Sequence, residues 1–173
     1  MNYLAEQGTA MTNMHLMGSM CDAVCMPSRV MLHSGRSLFH IEGNGEVIPP
    51  EHVLLGEHLQ SYGYATFGSG KWHSDPDSFA RAFADGGPVF LGGMDDHWNM
   101  PVCDYHKPGE YPDPVKHPWD PGYGSKFEIE KRFDYVASGT HATTLFANGA
   151  KRFLLERAKQ EDKSQPFFCY CAF

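Results

Sequence analysis

The chain has 173 residues, of which 42% are apolar and 20% charged, a length and composition that suit one globular domain with a sizeable core and exclude a disordered polymer. Its 21 acidic and 14 basic side chains give a formal charge of −7 with no basic run, which argues against a nucleic-acid or anionic-membrane partner. No apolar run nears the roughly 20 residues of a membrane span, and the residues after Met1 lack the basic and apolar regions of a signal peptide.

The five cysteines, Cys21, Cys25, Cys103, Cys169 and Cys171, are odd in number and scattered, so no disulfide framework can be read from them. Cys21 and Cys25 could form half of a zinc site, but no second Cys or His pair follows at finger-like spacing. Cys169 and Cys171 alternate in an apolar run and read as small core residues of a strand.

In chain order, Met1 to Gly8 reads as the last turn of a helix, and Thr9 to Met17 alternates loosely enough for a strand. Met11, Met14 and Met17 read as core filling. Gly18 to Val24 is then a loop that delivers Cys25. Cys25 stands where an N-cap would stand, Pro27 falls in the first turn where its missing N–H costs nothing, and Gly35 is placed to end the helix in a left-handed conformation. A helix N-terminus gathers unpaired N–H groups and positive dipole, and Arg29 can lean back from one turn on. The expected result is an anion site with a sulfur atom in it.

Glu51 to Tyr62 carries Val53, Leu54, Leu55, Leu59 and Tyr62 at helical spacing and should end at Gly63. Tyr64 to Phe67 reads as a short buried strand, and Gly68 and Gly70 as a turn that exposes Lys71-Trp72-His73. Helix, strand and glycine-rich turn in succession is the α/β pattern in which function collects at the carboxyl end of a strand. The stretch from Gly86 to Gly124 shows neither period and is too long for a plain connector. Its aromatics Trp98, Tyr105, Tyr111, Trp119 and Tyr123 suggest a packed excursion on a pocket rim. Asp95, Asp96, His97 and His106 within it read as solvated or hydrogen-bonded loop residues in preference to metal ligands.

Lys126 to Val136 reads as a strand-like crossing, and Thr140 to Lys159 as a helix with His141 as a capping or surface group at its start. After a polar turn, Pro166 to Phe173 reads as a central strand buried on both faces.

Two stretches carry a resemblance. Cys-x-Pro-Ser-Arg followed by Ser-Gly-Arg, matched at Cys25, Pro27, Ser28, Arg29, Gly35 and Arg36, resembles the signature of the type I sulfatases, with Ser34 where that family more often has Thr. Gly-Tyr-x-Thr-x-x-x-Gly-Lys-Trp-His, from Gly63 to His73, resembles that family's segment with a sulfate-binding lysine and a histidine near the nucleophile. The resemblance covers nearly the whole chain. It implies an α/β/α sandwich around a mostly parallel sheet, as in the alkaline-phosphatase-like superfamily. Cys25, Arg29 and His73 are the implied catalytic residues and Lys71 the implied substrate-binding residue.

It further implies that a formylglycine-generating enzyme oxidises Cys25 to formylglycine, the nucleophile toward a small-molecule or carbohydrate sulfate ester. Calcium is the implied cofactor, touching residue 25, with most of its ligands expected outside this chain. On this reading residues 1–173 are an internal piece of a sulfatase catalytic domain, incomplete at both ends, and prone to aggregate through uncovered apolar faces. A catalytically inactive remnant that binds sulfate without turnover is one alternative; a formylglycine-dependent phosphoester or phosphonate hydrolase is another. Export to the periplasm or the cell exterior is expected from the resemblance alone.

Overall fold

The computed structural model describes residues 2–14, 25–117 and 129–173. Its centre is strand β1, Ala65–Lys71, which lies between β2, Asp85–Phe90, and β7, Phe167–Ala172, and runs parallel to both. Successive side chains of a strand point to opposite faces, so β1 alone defines two helical layers. Phe67 stacks on Phe153 at a centroid distance of 4.7 Å, and the Ser69 hydroxyl donates to the Phe146 carbonyl; both partners belong to helix α5, Ala142–Lys159. Gly68, between them, meets Phe79 and Phe83 at the end of helix α4, Pro76–Ala82. Helix α3, Leu55–Ser61, packs beside α4, and helix α2, Cys25–Ser34, packs on α3. The expected α/β/α sandwich is therefore present around a parallel sheet.

Local chemistry accounts for most element ends. Helix α2 stops at Gly35, whose φ of +66° is the left-handed conformation expected there. Ser34 keeps a hydroxyl that donates to the Val30 carbonyl at 2.6 Å and accepts from the Arg36 N–H at 3.3 Å. Helix α3 begins at Leu55, later than Glu51, because the segment after Pro49 and Pro50 makes a turn first. Glu57 reaches back to the Leu54 N–H at 2.7 Å and ties off the helix start. Helix α4 has Asp75 as its N-cap, accepting from the Ser78 N–H at 2.8 Å, with Pro76 next. His141 caps α5 by accepting from the Thr143 N–H, as its place in the sequence predicts.

Several expectations are corrected. Helix α1, Asn2–Gln7, forms, but Thr9 to Met14 is turn and irregular chain with no strand partner among the described residues. Met11 and Met14 are 69% and 72% exposed and fill no core there. Met17, Cys21 and the loop from Gly18 to Val24 lie outside the described residues. Gly68 and Gly70 are not a turn but the middle of β1: a Cβ on Gly70 would lie 1.9 Å from the Ala172 carbonyl oxygen, and its φ of +97° coincides with a break in register against β2. These glycines admit neighbours; they do not reverse the chain.

The stretch from Gly86 onward, without a period in its sequence, nevertheless contains strands. It supplies most of β2, then β3, Asn99–Val102, and β4, Val115–His117. The crossing expected over Lys126 to Val136 is two short strands, β5, Ile129–Lys131, and β6, Tyr135–Ser138, split because each pairs elsewhere. β3 pairs antiparallel with β6, and β4 with β5. Residues 126–128, Trp119 and Tyr123 lie outside the described residues.

Strand β7 has one strand neighbour and is half-buried, so among the described residues it is an outer strand and not the central, doubly covered one expected. An all-apolar run cannot distinguish the two positions, and here the central one belongs to β1. Cys169 and Cys171 are accordingly half-buried residues of this outer strand.

Candidate active site

The site lies at the carboxyl end of β1, where Trp72 anchors the chain. Trp72 is 1% exposed, its N–H donates to the Phe90 carbonyl at 2.9 Å, and its indole N–H donates to the Asp75 carbonyl at 3.0 Å and to the Ser78 hydroxyl at 3.1 Å. This anchor fixes the residue on either side. Lys71, the last of β1, and His73, the first beyond Trp72, are both half-buried. His73 has φ of +64°, a left-handed conformation that costs a side-chain-bearing residue about 1–2 kcal/mol and that only surrounding contacts maintain.

Helix α2 is held to the same point from the other side. Buried His33, the penultimate residue of the helix, packs its ring 4.8 Å from Trp72 and 4.6 Å from Tyr170 of β7. Arg29 Nε donates to the Lys71 carbonyl at 3.2 Å. Cys25 is half-buried at the first residue of α2, and its thiol is within hydrogen-bonding reach of the Lys71 ammonium. Two segments more than forty residues apart thus meet at Lys71.

Lys71 Nζ also donates to the carbonyl of Gly93, in the loop that follows β2. Burial lowers the Lys71 pKa; Cys25 opposes that shift and Arg29 adds to it. The His73 ring packs on Gly93 so closely that a Cβ there would sit 2.8 Å from Nε2, which leaves glycine as the fitting residue. Burial first, then the charges of Lys71 and Arg29, bring the His73 pKa from 6.5 down to about 4. The imidazole is neutral at pH 7, and its Nδ1 is buried without a partner.

His73 is also part of the lining of a cleft of about 320 Å³, together with Met26, Gly93, Glu46, Ser74 and Arg132. The arrangement is a cationic corner, built of two cations and a helix start, with a neutral imidazole and a sulfur atom beside it. All four residues predicted from the sequence, Cys25, Arg29, Lys71 and His73, are brought together. A model of the sulfatase family matches residues 1–173, the whole chain.

The chain belongs to the sulfatase family. The α/β/α sandwich is the alkaline-phosphatase-like fold of that family, and the chemistry is that of a sulfatase-type hydrolase.

Other candidates in this sulfatase are bonded elsewhere. Asp96 accepts from the Trp98 N–H at 2.8 Å and from the Asn99 amide at 2.6 Å, and these bonds lower its pKa. Asp95 accepts from the Asp96 N–H at 2.9 Å. His97 stacks on His141 at 5.4 Å, and His106 pairs with Asp134 at 2.7 Å. Among the described residues no group of three or more His, Cys, Asp or Glu is placed to hold a metal. The described aromatics Trp98, Tyr105 and Tyr111 do not line the cleft; Leu91, Gly92, Gly93 and Pro114 of the same stretch do.

Glu46, Ser74, Gly93 and Arg132 went unnoticed in the sequence. None belongs to a motif, and only the folded chain brings them to His73. Helix α4 was also missed, although Ser74-Asp75-Pro76 carries its signal, a cap and a first-turn proline.

Proposed function

We propose that residue 25 is the nucleophile of a sulfuric ester hydrolase, made by oxidation of Cys25 to formylglycine. What supports the reading is the meeting of Cys25, Arg29, Lys71 and His73 at the end of β1 in a chain matched throughout as a sulfatase. Formylglycine supplies a hydrated aldehyde, one hydroxyl of which can attack sulfur while the second allows sulfate to leave.

The remaining work falls to this chain's own side chains. Lys71 and Arg29 offset the charge on the sulfate oxygens in a partly water-excluded corner, where such contacts count for more than in water. The start of α2 adds backbone N–H groups and dipole of the same sign. Neutral His73 can accept a hydrogen bond from a hydroxyl at residue 25. Bound sulfate counters the two cations that depress its pKa, so its capacity to hold a proton rises when substrate is present.

Calcium fits the described residues poorly. A hard cation takes about six to eight oxygen ligands, whereas the groups beside residue 25 are an ammonium, a guanidinium and an imidazole. Residue 25 could offer one oxygen; the others would have to come from outside the described residues.

The test is a peptide mass map of the protein expressed with a formylglycine-generating enzyme. A loss of roughly 18 Da at the peptide holding residue 25, with release of inorganic sulfate from an aryl sulfate, is the expected outcome. An unaltered thiol, beside a control sulfatase that is converted, would overturn the proposal in favour of an inactive sulfate-binding relative. Release of phosphate from the matching aryl phosphate, with no sulfate release, would favour phosphoester chemistry.

A further inference from the structure

We propose that Arg132 recognises a second anionic group on the alcohol part of the substrate, so that the preferred esters are small alcohols bearing a carboxylate or another sulfate. The inference rests on the sulfuric ester hydrolase reading and extends it to substrate class.

Arg132 follows β5 and lines the cleft that contains His73. It is half-buried, and its hydrogen bond from Nη1 to the Pro112 carbonyl is long, at 3.5 Å. Among the side chains described, the ion pairs are Arg81 with Glu57 and His106 with Asp134, and Arg132 is in neither. Of the two acids that line the cleft, Asp75 has both oxygens engaged, one by the Ile48 N–H and one by the Ser78 N–H, each at 2.8 Å. Glu46 is exposed, so water screens its charge.

A guanidinium that is partly desolvated and in no ion pair among the described side chains favours an anionic ligand, and its planar fork matches a carboxylate or a sulfate. Lys71 and Arg29, beside residue 25, are committed to the ester sulfate on the mechanism above. Neither of them lines the cleft, so Arg132 is a positive point apart from theirs, joined to it through His73, Met26 and Gly93 of the lining. Its volume of about 320 Å³ is at the small end of ligand pockets, which suits an alcohol of one ring. The Ser74 hydroxyl, buried without a partner and also in the lining, is a further hydrogen-bonding group for such a ring.

The experiment is calorimetric titration of the full chain carrying Cys25→Ala, which binds without turnover. The probes are 4-nitrophenyl sulfate, its ring-carboxylated analogue and its disulfated analogue. Each dianionic probe should bind about tenfold more tightly than the parent, Arg132→Gln should abolish that advantage, and Arg132→Lys should keep part of it. The size of the advantage for the carboxylate against that for the second sulfate distinguishes the two anion types. Equal binding of all three probes, or an advantage that survives Arg132→Gln in a variant with an unchanged melting temperature, would overturn this inference and leave the hydrolase reading standing. Binding of none of the three would overturn the hydrolase reading itself.

Discussion

Lys71 and Arg29 both press on His73, and that pressure sets a pH behaviour that can be measured. Its burial first, and then their charges, hold the imidazole at about 4, so removing a cation should raise it part of the way toward 6.5. NMR titration of His73 in Lys71→Gln should show the upward shift; an unmoved or lower value would mean that Lys71 is not its neighbour. Where the protein turns over sulfate esters, the same substitution should lower kcat/KM by about 10²-fold, the usual cost of one charge-stabilising donor. His33 makes a second prediction. It is buried among Trp72, Phe83 and Tyr170, with neither ring nitrogen bonded, and burial, aided by Arg29, lowers its pKa from 6.5 to about 4. A histidine whose folded pKa is depressed leaves stability intact above pH 6.5 and erodes it as pH falls toward 4, because the unfolded chain binds the extra proton. The full window amounts to about 3 kcal/mol. Denaturant melts of His33→Leu should therefore show a flatter pH dependence between pH 6.5 and 4 than the parent does.

At the scale of elements, close approach of backbones decides which substitutions β1 tolerates. Gly70→Ala would drive a methyl group onto the Ala172 carbonyl of β7 in a conformation already at positive φ, and should destabilise the protein by about 3 kcal/mol. Gly63, also at positive φ but with open space around it, is the control: Gly63→Ala should cost about 1 kcal/mol, from backbone strain alone. Urea melts of the two variants check the difference, and equal losses would mean that β1 and β7 are not in register as described. These glycines show the limit of sequence reading well. Gly-Ser-Gly before Lys71 looks like a turn by residue type, yet the residues sit in an extended strand because Phe79, Phe83 and Ala172 need the room. The end of α2 shows the opposite case, since Gly35 acts only on its own helix and was correctly placed from the sequence.

For the molecule as a whole, large apolar side chains remain at the surface, among them Leu154 and Leu155 on α5 and Phe167 on β7, a strand with one described neighbour. Exposed apolar faces and an open strand promote self-association. Light scattering of the purified chain should show mass rising with concentration, whereas a monodisperse monomer that unfolds cooperatively would contradict this. Among the described residues no helix is long and apolar enough to cross a membrane, so that exposure does not come from a helical span.

By itself the sequence determined the family, the carboxyl end of α2, the helix α5 with its cap, and the identity of the two segments that supply Cys25, Arg29, Lys71 and His73. Each of these depends on short-range chemistry: a dozen contiguous positions, a cap, a glycine that tolerates positive φ. Only the tertiary structure decided that β1 and not β7 is central among the described strands, that Gly68 and Gly70 are packing glycines, and that Gly93 and Arg132 join His73 at the cleft. Those outcomes depend on pairing across tens of residues, where an apolar run fits an inner or an outer strand equally well and a lone glycine or arginine carries no mark of its eventual neighbours.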